Sequence, residues 1–60
     1  MTMKQAIERA AEAGGAYVYY SRAKHAWTVL SRDHAAALDY VDLQRLGALY
    51  VSFNGLVGKA

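Results

Sequence analysis

Two runs of β-branched and aromatic residues, Tyr17-Val18-Tyr19-Tyr20 and Trp27-Thr28-Val29-Leu30, constrain this chain more than anything else in it. Side chains of these types pack well on a pleated surface, and only the polar connection Arg22-Ala23-Lys24-His25 separates the two runs, so a β-hairpin is the expected element. The connection holds no Gly, Asn or Asp. It therefore does not announce a tight two-residue turn, and the register has to be read from the side-chain pattern. With Arg22 opposite His25, one face carries Val18, Tyr20, Trp27 and Val29, and the other carries Tyr17, Tyr19, Thr28 and Leu30. A slip of one residue regroups these sets but leaves large side chains on both faces. A two-stranded ribbon is marginal by itself, and two short helices can cover one of its faces but hardly both, so an exposed Tyr-rich surface that meets a partner is expected.

The cover has to come from little material, since the whole chain is 60 residues. That length allows one domain near the lower limit of independent folding and excludes a doubly wound sheet, a barrel or a second lobe. Ahead of the hairpin, Thr2 and Gln5 have the spacing of a capping box. Met3, Ala6, Ile7, Ala10 and Ala13 then recur at helical intervals, Lys4 and Glu8 can pair at i, i+4, and Gly14-Gly15 supplies the stop. After the hairpin, Ser31 or Asp33 can cap a second helix that begins near Arg32. Its apolar stripe runs through Ala36, Tyr40, Leu43, Gly47 and Tyr50, widened by Leu46, Leu49, Phe53 and Val57, and Asn54-Gly55 ends it. A single piece of that length is unusual, so the alternative is a break between Asp39 and Asp42, with Asp42 capping a separate last helix. A third strand over Leu38 to Val41 is the weaker option, and residues 56–60 read as a short frayed tail. Residues 1–60 are thus expected to form a single small α+β domain of the order helix, β-hairpin, helix (αββα). Both helices are expected on one face of the ribbon, and the C-terminal helix is either whole or broken into two.

Composition removes several function classes. Apolar residues make up 55% of the chain and the net charge is +2, which disfavours disorder. The absence of cysteine removes disulfides and thiolate metal sites and is compatible with the cytoplasm, the expected location. Lys4, Glu8, Arg9 and Glu12 interrupt any early hydrophobic run, so no secretory signal is expected. The longest charge-free apolar stretch, Leu46 to Gly58, contains Ser52 and Asn54 and falls short of the roughly 20 residues that span a bilayer, so no membrane partner is expected. His25 and His34 lack the ligand spacing of a metal site, and Asp33, Asp39 and Asp42 are accounted for by capping, pairing with Arg45 or Lys24, and solvation. No nucleophile elbow or phosphate-binding loop is present, and Gly14-Gly15 lies between a helix and a strand, the reverse of a phosphate-cradling order. An enzyme is not expected, nor a cofactor or metal.

Binding is what remains. Arg22, Lys24, His25 and Arg32 are interleaved with Tyr17, Tyr19, Tyr20 and Trp27. Such a set builds ordinary cores; at a protein interface Tyr, Trp and Arg are the usual hot spots; and cations beside rings also suit single-stranded nucleic acid. The contact residues expected on a partner are Tyr17, Tyr19, Arg22, Lys24, Trp27 and Arg32. Gly47-Ala48 inside an apolar helix costs about 1 kcal/mol, which points to close approach of another element. A second copy crossing there would pack on Leu43, Leu46, Gly47, Tyr50 and Phe53 as a homodimer interface, and contact with the alanine-rich first helix accounts for the glycine equally well. In size and general composition, though in no residue pattern, the chain resembles the small inhibitors and regulators encoded by bacteriophages and mobile elements, anti-CRISPR proteins among them. The resemblance implies a non-catalytic protein that docks on a larger protein or nucleoprotein complex and inhibits it by steric blockade. Direct nucleic-acid binding through the basic, aromatic hairpin is the alternative.

Overall fold

Thr2 starts the first helix as its spacing predicts. Its hydroxyl accepts from the Gln5 N–H (3.2 Å), and the Gln5 side-chain oxygen accepts from the Thr2 N–H (2.9 Å), which completes the capping box. The helix, α1, spans Met3–Glu12 and ends where Gly14 takes a φ of +84°. The computed structural model describes residues 1–59, and in it α1 is followed by β1 (Gly15–Ser21) and β2 (Ala26–Leu30). These strands pair antiparallel from Tyr17 opposite Leu30 to Ser21 opposite Ala26, which settles the register left open by the sequence in favour of the one that sets Arg22 against His25. The four-residue connection closes without glycine because His25 itself adopts the left-handed region, with φ of +52°.

Beyond β2 the order departs from αββα. Ser31 caps a short α2 (Arg32–Ala36), its hydroxyl accepting from the His34 N–H at 3.2 Å. Asp39, without a side-chain bond, is the N-cap of α3 (Tyr40–Arg45), and Asp42 lies inside its first turn rather than capping it. Leu38 to Val41 form the junction and the start of α3, not a strand. No helix continues to Asn54. Gly47, at φ +68°, closes α3: its N–H donates to the Gln44 carbonyl (3.0 Å) and the Ala48 N–H donates to the Leu43 carbonyl (3.2 Å). These are the two bonds of a Schellman closure, and Ala48 and Leu43 are buried together beneath it. A Cβ at Gly47 would meet no atom of this chain within 4 Å, so α1 does not approach it and the glycine serves the backbone conformation at the end of α3.

The chain then enters β3 (Leu49–Ser52), turns through Asn54-Gly55, and returns as β4 (Val57–Lys59) in place of a frayed tail; Ala60 lies outside the described residues. Ser52 organises the turn, donating to the Asn54 side chain while its hydroxyl accepts from the Leu56 N–H at 3.2 Å. The apolar residues that read as one helical stripe are therefore divided among α2, α3, β3, the β3–β4 turn and β4. The decisive interaction is long-range: β3 pairs with the edge of β1 from Gly15 opposite Ser52 to Val18 opposite Leu49, which satisfies backbone groups that a lone hairpin leaves open.

The result is an α+β fold built on a four-stranded antiparallel sheet of order β2-β1-β3-β4. The helices do not share a face. Ala6 and Ala10 of α1 bury against Ala16, Val18 and Val51, with Trp27, Val29 and Leu49 packed alongside. On the other face, Ala35 of α2, Leu43 of α3 and Ala48 pack with Tyr17, Tyr19 and Leu30. Contrary to the expected bare Tyr-rich face, the chain divides its helices between the two sides of the ribbon, and Tyr17 and Tyr19 pack under α2 and α3. Val18 and Val51, both wholly buried at the centre, contribute about 1.5–3 kcal/mol each.

Candidate functional site

Each expected contact residue has a definite place. Tyr17 is half-buried and meets Tyr50 edge-on, with ring centroids 5.1 Å apart; Tyr19 packs beside it under α2 and α3. Trp27 lies on the opposite face against the α1 cluster, edge-on to Tyr20 at 5.9 Å, and its N–H donates to the Met1 carbonyl (3.2 Å). Arg22 and Lys24 are exposed in the β1–β2 turn, where the Lys24 N–H donates to the Ser21 hydroxyl at 3.3 Å. Arg32, the first residue of α2, stands at the other end of β2 beside Ser31 and Asp33. The six residues therefore do not form one surface.

Some of them do converge. Tyr19 and Arg22 line an open cleft of about 630 Å³ together with Tyr20, Ser21, Arg45 and Leu46. The cleft exists because β3 runs beside β1 only as far as Val18 opposite Leu49. Past that point Gly47 has diverted the chain into α3, and Tyr19, Tyr20 and Ser21 continue with no strand on that side. The backbone of Tyr20 is aimed into the gap. Its partner Trp27 directs its N–H away from β1, to Met1, and both members of an antiparallel pair point their polar groups either together or apart. The N–H and carbonyl of Tyr20 accordingly point away from β2, toward the missing strand.

The electrostatics are one-sided. Arg22 and Arg45 bring two guanidinium groups to a cleft lined by no carboxylate, and among the described residues no ion pair engages either of them. Each keeps its planar fork of donors for a carboxylate or phosphate. Arg45 is an addition to the residues read from sequence, and Tyr20 belongs to the basic and aromatic set without being among the six expected contacts. Arg45 carries no local signal, being a basic residue in the last turn of a short helix, and only the topology brings it to Arg22.

The residues expected at a dimer interface are dispersed. Leu43 is buried within the chain, and Gly47 is a helix closure. Tyr50 is half-buried, its hydroxyl lying over Gly15, where a Cβ would come within 2.6 Å of it. Leu46 borders the cleft, and Phe53 stands at the β3–β4 turn, 75% exposed. Of the histidines, His34 is engaged through Nδ1 with the Ser31 hydroxyl at 2.9 Å, and among the described residues no group of His, Asp or Glu is arranged to hold a metal. No helix among them is long and apolar enough to cross a membrane. The chain matches no protein-family pattern, no characterised protein and no solved structure.

Proposed function

We propose that this is a non-catalytic cytoplasmic docking protein that occupies a surface of a larger protein or nucleoprotein complex through the hairpin-end cleft. Steric blockade of a host complex, in the manner of a phage or mobile-element inhibitor, fits a chain of this size, because blockade needs a complementary surface and no enclosed pocket. The observation that carries the reading is the pair of unengaged guanidiniums, Arg22 and Arg45, facing an open cleft. Lys24, exposed in the same turn as Arg22, adds positive charge, and Leu46 supplies apolar contact. Leu46 and Phe53, still exposed, keep a homodimer within the proposal.

Affinity capture from a bacterial lysate tests the reading, comparing the native chain with Arg22→Glu and Arg45→Glu variants. The expected outcome is a specific captured protein that is lost from both variants while their circular dichroism stays native; capture indifferent to both charges moves the docking surface elsewhere. Direct nucleic-acid binding is the second reading, favoured by the same guanidiniums. It is weakened by the rings, since Tyr17 and Tyr20 are already in edge contacts and Tyr19 is packed in the core.

A further inference from the structure

We infer that the gap beside β1 takes an extended, acidic segment of a partner protein, added as a short strand along Tyr19–Ser21. This rests on the docking reading and names the chemistry of the partner. The backbone provides the first ground. The N–H and carbonyl of Tyr20 point into the gap on the line that β3 abandons at Gly47, so a strand entering there continues the ladder from the Val18–Leu49 pair. Strand addition satisfies such open edge groups whatever the guest's sequence.

Charge provides the second ground and sets the guest's composition. Arg22 and Arg45 both line the gap and have no carboxylate of their own, so an incoming Asp or Glu meets charge-assisted, bidentate donors there. Side chains of a strand alternate, and a guest with acids at every second position presents its remaining side chains together to Leu46 or to the Tyr rings. The gap borders only a few residues of β1, so backbone bonds are few and the charges carry much of the affinity. Binding of this kind is salt-sensitive.

The test titrates isotope-labelled protein with a peptide of about nine residues, strand length with flanks, alternating Glu and Val. Three further probes run beside it: the same peptide N-methylated at alternate residues, an alternating Lys and Val peptide, and a single-stranded oligothymidylate. The expected result is binding by the acidic peptide that weakens with salt and slows hydrogen exchange at the Tyr20 amide. The N-methylated peptide, and the Arg22→Ala, Arg45→Ala double variant with the unmodified peptide, are each expected to lose about tenfold or more in affinity. The N-methylated arm uses the native chain and does not depend on how the variant folds. An unprotected Tyr20 amide, equal binding by the N-methylated peptide, or tighter binding by the oligonucleotide overturns the inference. An inert acidic peptide with lysate capture still dependent on Arg22 and Arg45 sinks the added strand alone. Loss of both sinks the docking reading with it.

Discussion

The β1–β2 hairpin is paired from Tyr17–Leu30 to Ser21–Ala26 and lies between α1 on one face and α2 and α3 on the other, with Val18 wholly buried. The β3–β4 hairpin pairs only from Val51–Val57 to Leu49–Lys59, and its connecting turn leaves Phe53 75% and Leu56 68% exposed. Both are rich in apolar and aromatic residues, so side-chain type does not explain the contrast. Position does. A side chain in either hairpin is buried only where a helix lies over it, and neither core cluster reaches the β3–β4 tip. In a chain this small, burial is rationed by the few helical turns available.

Three substitutions probe that contrast, in descending order of effect. Val18→Asp places an unpaired carboxylate in the dry centre of the sheet and is expected to cost more than about 4 kcal/mol, enough to abolish folding; a native far-UV circular dichroism spectrum in the variant would move the core away from Val18. Gly15→Ala is expected to cost about 2–3 kcal/mol in denaturant melts, because alanine is strained at a φ of +114° and its Cβ meets the Tyr50 hydroxyl. Adding Tyr50→Phe should recover only the contact, leaving the backbone strain, and full recovery would show that φ at Gly15 carries no cost. Phe53→Ser is expected to change stability by less than about 0.5 kcal/mol and, if the proposed homodimer forms, to abolish it, with light scattering at micromolar concentration as the readout; a large destabilisation would mean that the second hairpin is as well covered as the first.

The first half of the chain was legible because its signals are local. The capping box of Thr2 and Gln5, the glycines at 14 and 15 and the runs of β-branched and aromatic residues at 17–20 and 27–30 each act over a few residues, and nothing distant overrules them. The second half misleads for an equally physical reason. Leu46, Leu49, Tyr50 and Phe53 sit at helical intervals, while Leu49–Ser52 alternates for only four residues, too few to announce a strand. The open edge of β1 decides the matter, and that edge lies far away in sequence. A glycine within an apolar run suits a packing contact and a helix end alike, and at Gly47 the positive φ marks the helix end. At the site, Tyr19 and Arg22 were found because they are neighbours in one hairpin. Arg45 was not, because its proximity to them is a property of topology.

The cleft has a fixed jaw and an adjustable one. Arg22 is borne on the four-residue turn between the paired strands β1 and β2, whereas Arg45 is borne on the connector between β2 and β3, whose two helices have five and six residues. Lengthening such a connector costs little closure entropy, since each doubling adds only about 0.6 kcal/mol. Insertions or deletions in residues 31–48 can therefore re-aim the second arginine while every strand keeps its partners. The same sheet could be refitted to a different quarry by changing the spacing of one segment.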